Sequence, residues 1–437
     1  MKARQLVVGL LVAVIAVAAV AAVLLLQQPA QQPTTPQPTQ PAPQPQTPPV
    51  REIKVGMLCD LTGGTSDVGK PYCLGALDAR EWFEKFNPLP QGYKVDLAWV
   101  DYSYKIPEAQ AAYSRFKALG VVAIIGWGTG DTLALAPTVH SDKIPYISAS
   151  YSGELLKNTT MYNFFPQTDY SSQGRAFVRF AVDLWNQMHG GRAPRPPKLG
   201  LAYPNVPYGT TPLPAIRDMA NQLGAELCPD QIVELAAVDA TSQMLKFKEC
   251  GADFVWAGGT AASTLVIMRD AKKVGLNAPI FVNVWGGNEA YFRANPEASA
   301  GNYYLSSISV YTPDIERGDS PGAKIIREWA REKGRGPSDL TAAYVRGWAN
   351  VNVLYKALRM VIEKGEPVTG ENIWKALTSI RNWDFSPLTG ITAESITWTP
   401  EDRRPMMSVF VYRINERGEF ELARKVTLDR KAEWLGW

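Results

Sequence analysis

Short apolar segments rich in Val and Ile alternate with longer segments of helical periodicity from Glu52 onward. This alternation is typical of βαβ units around a parallel sheet. The pattern predicts two sets of strands, separated by a break near residues 164–169. The first set comprises residues 53–59, 95–101, 121–126 and 144–149, and the second comprises residues 199–203, 231–235, 254–258 and 280–284.

The last quarter of the chain is predicted to be helical first and then strand-like. Helical periodicity covers residues 323–332, 344–363 and 371–378, and alternation typical of strands follows at 407–414. Beyond residue 50 the chain has about 387 residues, which suits two lobes of ordinary domain size better than one. We therefore expect an α/β fold with two doubly wound parallel-sheet lobes.

The N-terminal segment is unlike the rest of the chain. Residues 6–26 are 21 consecutive residues without a charged or polar side chain, and as a helix they would reach roughly 31 Å, enough to span a bilayer. Lys2 and Arg4 precede the segment, and the next Lys or Arg is Arg51. The positive-inside rule then predicts a membrane anchor over residues 1–26 with the remainder outside the cytoplasm. A cleaved signal peptide, after which the protein would be secreted, is the alternative.

Residues 27–50 have the composition of a spacer. They contain nine prolines, eight glutamines and four threonines, which favours extended polyproline II and offers nothing to bury in a core. The position directly after an apolar segment predicts a disordered tether of Pro, Gln and Thr. A polar tail without this role is the alternative.

Charge and composition exclude several function classes. The formal net charge is only +3, without the basic stripe that a nucleic-acid partner requires. The two histidines, His140 and His189, lie far apart and near no cysteine pair, so we expect no metal site and no cofactor. Neither histidine lies in a predicted strand-end loop, and the chain has no G-x-S-x-G motif. We therefore expect a protein that is not an enzyme.

The four cysteines fall in pairs along the chain. Outside the cytoplasm, oxidation to disulfides is permitted. Of the three possible pairings, Cys59 with Cys73 and Cys228 with Cys250 keeps each loop inside one predicted lobe. Buried free thiols are the alternative.

The residues that follow the predicted strands are small, hydroxylic or aromatic. Ligands of open α/β sheets bind beyond the carboxyl ends of the strands. Gly126, Gly128 and Gly130 allow close approach to a ligand, and the N-terminus of the next helix favours an anion such as a carboxylate. Thr129 and Asp131 supply side chains there, although Asp131 is equally well explained as a helix N-cap.

Several longer segments, in their order and spacing, resemble the leucine/isoleucine/valine-binding proteins of ABC transporters. That family has the type I periplasmic-binding-protein fold, with two lobes, three crossovers and a ligand between the lobes. The resemblance implies crossovers near 164–169, 306–311 and 387–391. It divides the chain into lobe 1 (51–167 and 308–389) and lobe 2 (168–307 and 390–437). It rests on "IKVGMLCDLTGGTSDVGKPYCLGALDAREWF" (53–83), "VVAIIGWGTGDTLALAP" (121–137), "IPYISASYSGEL" (144–155), "AYPNVPYGTTPLPAI" (202–216) and "GADFVWAGGTAASTLVIMRDAKKVGLNAP" (251–279).

The resemblance also implies ligand-contacting residues. Ser150 corresponds to a position whose backbone carbonyl faces the ligand ammonium, and Ser152 to a hydroxyl near the carboxylate; strand-end capping is the alternative for both. Gly130 stands where relatives often carry a serine, so only its backbone N–H can serve. Tyr208, Thr260 and Tyr344 align with cleft-lining positions, with core packing as the alternative for each.

Trp285 departs from the family pattern. Amino-acid binders usually have a glutamate there that pairs with the ligand ammonium. An ammonium in a closed cleft without a counter-charge is costly, so either Asp131, Asp60 or Asp169 replaces the glutamate, an aromatic face attracts the cation, or the ligand has no ammonium. With Trp127, Tyr151, Tyr208 and Tyr344, Trp285 would form an unusually aromatic cleft.

The resemblance implies an extracytoplasmic solute-binding component of an ABC importer, which captures a small solute by hinge closure and has permease and ATPase subunits as partners. A hydrophobic or branched-chain amino acid, a related carboxylate and an amide all stay open as the solute. The alternative is a receptor ectodomain or a sensor of amides or aromatic acids with the same fold.

Overall fold

The computed structural model describes residues 50–308 and 320–437. The predicted anchor, nearly all of the predicted spacer and residues 309–311 of the second predicted crossover lie outside these residues. In the two described stretches, no helix combines the length and the apolar character needed to cross a membrane. The described chain forms one compact unit built around two sheets.

The first sheet has five parallel strands in the order β2-β1-β3-β4-β5. Four of the strands match the predicted first set, and the two-residue strand β5 was not predicted. All lie beside helices, as βαβ connections require. The bounds are β1 Arg51–Cys59, β2 Tyr93–Asp101, β3 Ala123–Ile125, β4 Tyr146–Ile147 and β5 Asn163–Phe164.

The second sheet has eight strands in the order β13-β12-β11-β10-β9-β6-β7, with β8 paired to β6. The strands β6 to β11 are parallel. Of these, β6, β8, β9 and β10 match the predicted second set, whereas β7 and β11 were not predicted. The strand β12 is antiparallel to both β11 and β13. The five residues between β12 and β13 permit only a hairpin, so the expectation of wholly parallel sheets is wrong at this edge. The bounds are β6 Lys198–Tyr203, β7 Glu226–Leu227, β8 Gln231–Ile232, β9 Phe254–Ala257, β10 Ile280–Val282, β11 Tyr303–Ser306, β12 Ser408–Ile414 and β13 Phe420–Thr427.

Thirteen α-helices of the described residues flank the sheets. The three predicted from periodicity begin within two residues of their predicted starts and end at the predicted residues. The bounds are α1 Ser66–Phe86, α2 Ile106–Leu119, α3 Thr129–Asp142, α4 Tyr170–Met188, α5 Pro207–Thr210, α6 Leu213–Leu223, α7 Thr241–Cys250, α8 Ala261–Lys273, α9 Glu289–Ala294, α10 Pro296–Ser299, α11 Pro321–Glu332, α12 Ala342–Glu363 and α13 Gly370–Thr378.

Helices α1 and α12 pack closely because each presents a glycine to the other. A Cβ atom on Gly75 would lie 2.1 Å from the carbonyl oxygen of Tyr344, and one on Gly347 would lie 2.2 Å from that of Tyr72. Backbone atoms cannot move aside as a flexible side chain can, so both positions require glycine. Helix α12 also packs against β3 and β4, which joins this late helix to the first sheet. We call the first sheet with α1–α3 and α11–α13 the first half, and the second sheet with α4–α10 the second half.

Three connections between the halves lie side by side. The backbone N–H of Thr168 donates to Ser307 Oγ at 2.9 Å, and Ser307 Oγ donates to Gln167 Oε1 at 2.8 Å. Ile308 forms an antiparallel bridge with Thr392, and the N–H of Ala393 donates to the carbonyl of Ser307 at 2.9 Å. The crossovers are therefore hydrogen-bonded to one another, the third one just beyond its predicted position.

Each half contains one disulfide. Cys59 at the end of β1 is bonded to Cys73 in α1, and Cys228 is bonded to Cys250 at the end of α7. The bridges span 14 and 22 residues. Loops of this size constrain the unfolded chain, which stabilises each half separately.

Candidate functional site

A small cavity lies between the halves, at the carboxyl ends of the strands. Its volume is about 20 Å³, room for roughly one water molecule. Both halves contribute to its lining, so the two halves are closed against each other in this structure. The lining residues are Thr65, Val68, Tyr104, Trp127, Gly128, Thr129, Ala149, Tyr170, Tyr208, Thr260 and Trp285.

The turn between β3 and α3 brings backbone to the cavity. A Cβ atom on Gly128 would lie 2.3 Å from Asp131 Oδ1 and 2.7 Å from the hydroxyl of Tyr102. A larger residue there would force these buried side chains to shift. Thr129 follows as the first residue of α3. Gly130 is different, because a Cβ atom would meet nothing closer than Ile106 Cδ1 at 3.4 Å. Gly130 is not among the lining residues.

Asp131 stabilises the turn between β3 and α3 through hydrogen bonds. The hydroxyl of Tyr102 donates to Asp131 Oδ1 at 2.8 Å and accepts from the N–H of Gly128 at 3.2 Å. The carboxyl group is 2% exposed, and burial raises its pKa to about 7. Asp131 does not line the cavity, so its placement favours a structural role.

The other two acids considered as a counter-charge also serve local structure. Asp60 accepts hydrogen bonds from the N–H of Gly63 at 2.6 Å and the N–H of Thr65 at 2.9 Å, which holds the turn between β1 and α1. Asp169 caps α4 by accepting from the N–H of Ser172 at 2.8 Å. Neither lines the cavity.

The side chains of the serines that follow β4 form hydrogen bonds with residues close to them in the structure. Ser150 Oγ donates to Thr129 Oγ1 at 3.0 Å, next to the cavity wall. Ser152 Oγ accepts from the N–H of Glu154 at 3.4 Å and caps a short 3₁₀ turn. Ala149, between Ser148 and Ser150, reaches the cavity itself. These placements agree with the capping alternative for Ser152 and put Ser150 behind Thr129.

Trp285 stands at the centre of an aromatic cluster from both halves. Its ring lies edge-on to Trp127 at a centroid distance of 4.8 Å and stacks on Tyr151 at 5.7 Å. Its Nε1 donates to the hydroxyl of Tyr170 at 3.1 Å. Trp127 and Tyr151 belong to the first half and Trp285 to the second, so the cluster joins the halves across the cavity.

A buried cation contacts this cluster. The guanidinium of Arg346 lies 5.0 Å from the Trp285 ring centroid and is 1% exposed. Its Nη2 donates to the hydroxyl of Tyr304 at 2.7 Å and to Ser306 Oγ at 2.9 Å. Arg346 therefore supports Trp285 by a cation–π contact and ties α12 to β11.

Tyr208 connects three loops of the second half. Its hydroxyl lies between two acceptors, the carbonyl of Gly259 at 3.0 Å and Asn283 Oδ1 at 2.5 Å. Burial raises the pKa of this hydroxyl well above its usual value. Tyr208 and Thr260 both line the cavity, as do Thr129 and Trp285 among the predicted residues.

Tyr344 lies elsewhere. Its hydroxyl donates to Asp78 Oδ2 at 2.8 Å, and Asp78 also accepts two hydrogen bonds from Arg335 at 2.6 and 2.7 Å. These contacts hold α12 against α1. The structure therefore places Tyr344 in a helix interface and not in the aromatic wall of the cavity.

Several lining residues were not predicted. Thr65 and Val68 stand near the start of α1, and Tyr170 is the first residue of α4. Tyr104 follows β2 and has φ 58°, in the left-handed region that bulky residues rarely adopt. The strand-end rule, applied to the predicted strands at 53–59 and 95–101, would have found Thr65 and Tyr104; Arg346 carries no such signal because it lies within a long helix.

Comparison with known proteins agrees with this architecture. The family described as "Periplasmic binding protein" matches residues 52–419. A Leu/Ile/Val-binding protein homolog of Brucella abortus is 21% identical over 325 residues, covering 72% of this chain and 78% of its own. An ABC transporter substrate-binding protein of Aeropyrum pernix is 32% identical with a TM-score of 0.77, covering 88% of this chain and 98% of its own.

A third protein resembles this chain in fold. A branched-chain amino acid ABC transporter protein of Thermus thermophilus with bound valine is 21% identical with a TM-score of 0.77, over 88% of this chain and 98% of its own. The family match covers the strands β1 to β12 and all three crossovers and ends just before β13. The two-sheet fold, the hydrogen-bonded crossovers and the cavity between the halves, together with these similarities, show that the chain belongs to the periplasmic binding protein family.

Proposed function

We propose that this protein is the extracytoplasmic solute-binding component of an ABC importer, which captures a small apolar solute between its halves. Members of the family are binding proteins and not enzymes. The similarity to the Aeropyrum pernix substrate-binding protein, at 32% identity over nearly its whole length, supports the importer role. The partners would be a permease and its ATPase.

The observation that carries the proposal is the shared lining of the cavity. Trp127 and Thr129 come from the first half, and Tyr208, Thr260 and Trp285 come from the second. A solute held among these residues would contact both halves at once only when the halves close on it, so binding favours closure. The cavity of this structure is smaller than such a solute, so the halves would stand farther apart around the solute than they do here. The adjacent crossovers provide a place where the halves rotate.

The lining supports a small solute with a mainly apolar surface. The Thermus thermophilus protein holds valine, and the Brucella abortus relative is named for leucine, isoleucine and valine. A hydrophobic amino acid, a related carboxylate and an amide remain within the proposal. The closed cavity requires the halves to open before any of them enters.

The proposal includes a place of action. Family members act outside the cytoplasm, and the apolar N-terminal segment predicted from the sequence would tether the protein to the outer face of the membrane, or be removed for secretion. A short tether keeps the binding protein near its permease, which raises the effective concentration of each for the other.

The test is native mass spectrometry of the purified protein followed by calorimetry. We expect a solute to be released chemically unchanged on denaturation and to rebind to the emptied protein. A compound released in altered form would contradict a binding role. If no solute copurifies and none of the added nutrients binds, solute capture is contradicted.

A further inference from the structure

No ionised side chain lines the cavity in the part of the chain that the structure describes. The nearby acids Asp131, Asp60 and Asp169 do not line it. Asp131 Oδ1 accepts from Tyr102, Asp60 accepts from the β1–α1 turn, and Asp169 Oδ1 accepts from the N-terminus of α4. The Oδ2 atoms of Asp131 and Asp169 are buried without a hydrogen-bond partner. An ammonium group enclosed here would lose its water without gaining a counter-charge. Such burial is strongly unfavourable.

Asp67 is the acid next to the lining residue Val68. Its Oδ2 accepts a hydrogen bond from the N–H of Ala262 at 2.8 Å, at the N-terminus of α8. Asp67 also borders a separate groove of about 590 Å³, together with Lys70. Asp67 Oδ1 is buried without a hydrogen-bond partner, but Asp67 does not line the cavity. The N-terminus of α8 already interacts favourably with this carboxylate, so it is poorly placed to serve a cation in the cavity.

An aromatic face is the other way to hold an ammonium. The ring of Trp285 already has two close neighbours, the guanidinium of Arg346 at 5.0 Å from its centroid and the stacked ring of Tyr151 at a centroid distance of 5.7 Å. The guanidinium also places a positive charge next to the ring, and this charge repels a second cation. Trp285 therefore cannot replace a carboxylate as the ammonium partner.

The cavity does offer hydrogen-bond donors. Thr129 begins a helix of 14 residues, whose N-terminus favours a carboxylate or a carbonyl oxygen. Thr260 is 2% exposed, and its Oγ1 has no hydrogen-bond partner within residues 50–308 and 320–437. A hydroxyl in that state donates readily to an oxygen of a bound molecule.

On the basis of the proposed function, we propose that the solute carries no ammonium group: it is a small apolar carboxylic acid or amide, and Arg346, acting through Trp285, is a specificity-determining residue. The positive charge next to Trp285 and the donors at Thr129 and Thr260 favour an acid or amide head group. The aromatic cluster around Trp285 would enclose the apolar part of the solute.

Matched compounds test this inference on the purified full-length protein. Calorimetry compares leucine with 4-methylpentanoate and 4-methylpentanamide, and phenylalanine with 3-phenylpropanoate. We expect at least one acid or amide to bind with a Kd about 100-fold lower than that of its amino acid partner. An amino acid that binds as tightly as its partner overturns this inference and leaves solute capture intact. If no compound of either series binds or raises the Tm, both this inference and the proposed function are contradicted.

The variant Arg346→Gln tests the residue. We expect the preference for the acid over the amino acid to fall by about tenfold, because the buried positive charge is lost. Arg346→Lys keeps the charge and should keep most of the preference, even if Arg346→Gln folds poorly. Arg359→Gln is the control, since Arg359 lies on the same helix but bonds to Asn87. An unchanged preference in folded Arg346→Gln overturns the role of Arg346.

Discussion

The carboxylate of Asp67, in the first turn of α1, accepts a hydrogen bond from the backbone N–H of Ala262, the second residue of α8, at 2.8 Å. One residue belongs to the first half and the other to the second. An acid at a helix N-terminus interacts favourably with the helix dipole. The pair therefore fastens the closed arrangement from outside the cavity.

Removal of the hydrogen bond between Asp67 and Ala262 should lower the affinity for the solute more than it lowers the stability of the fold. In Asp67→Ala, closure loses a charge-assisted hydrogen bond, and we expect the solute Kd to rise by about fivefold to tenfold. The Tm should change little because each half keeps its own core. Calorimetry and thermal unfolding measure the two effects, with Asp96→Asn on the exposed face of β2 as control. Equal Kd values for Asp67→Ala and wild type would contradict the role in closure.

The buried carboxyl of Asp131 predicts a pH-dependent stability. Its pKa is raised to about 7 in the folded protein, against 3.8 for the ordinary side chain, so the folded state holds the proton over a range where the unfolded state has lost it. Stability then falls as pH rises from about 4 to about 7, by at most about 4 kcal/mol from this group.

Asp131→Asn tests this expectation. Asparagine still accepts from Tyr102 but cannot ionise, so the variant should be more stable than wild type at pH 8 and similar at pH 4. Urea unfolding at both pH values gives the free energies of unfolding. A difference between the two proteins that does not vary with pH would argue against a raised pKa.

Gly128, in the β3–α3 turn, and Gly130, in the first turn of α3, form a matched pair. In Gly128→Ala the new methyl group would collide with Asp131 Oδ1 and the ring of Tyr104, and we expect a loss of about 1–3 kcal/mol of stability together with weaker solute binding. In Gly130→Ala the methyl group meets only Ile106 and Pro207 at 3.4 Å or more, and both properties should stay close to wild type. Equal effects of the two variants on the Tm would contradict this geometry.

Tyr208 should be required for binding but not for folding. Tyr208→Ala removes part of the cavity wall and leaves Gly259 O and Asn283 Oδ1 without their donor, so the solute Kd should rise at least about tenfold. Unfolding should remain cooperative. Tyr93→Ala, at the edge of the first sheet, is the control. An unchanged Kd for folded Tyr208→Ala would remove this residue from the site.

The predicted elements that proved right have strong local patterns. Long helices such as α12 and Val- and Ile-rich strands such as β1 are visible from periodicity alone. The two-residue strands β5 and β7 are too short for any period to appear, and β11 was also missed. The antiparallel pairing of β12 depends on which edge of the sheet the chain returns to, a long-range property that local spacing does not encode.

Site residues could be predicted from the sequence where their position at the end of a strand or the start of a helix places them in the site. Thr129, Tyr208, Thr260 and Trp285 follow strands or begin helices at the carboxyl edges of the sheets, and all of them line the cavity. Tyr344 does not, because its hydroxyl is taken by Asp78, which is 266 positions away in the sequence. Arg346 and Trp285 are also far apart along the chain and belong to different halves, so only the structure reveals their contact.

Small-angle X-ray scattering tests most directly whether the two halves close by rotating about the crossovers. The same sample is measured before and after addition of a solute that calorimetry has shown to bind. We expect the radius of gyration to fall when the solute saturates the protein, as the residues around Trp127 and Trp285 close on the solute. Scattering curves that superimpose while calorimetry shows full occupancy would contradict capture by closure of the two halves.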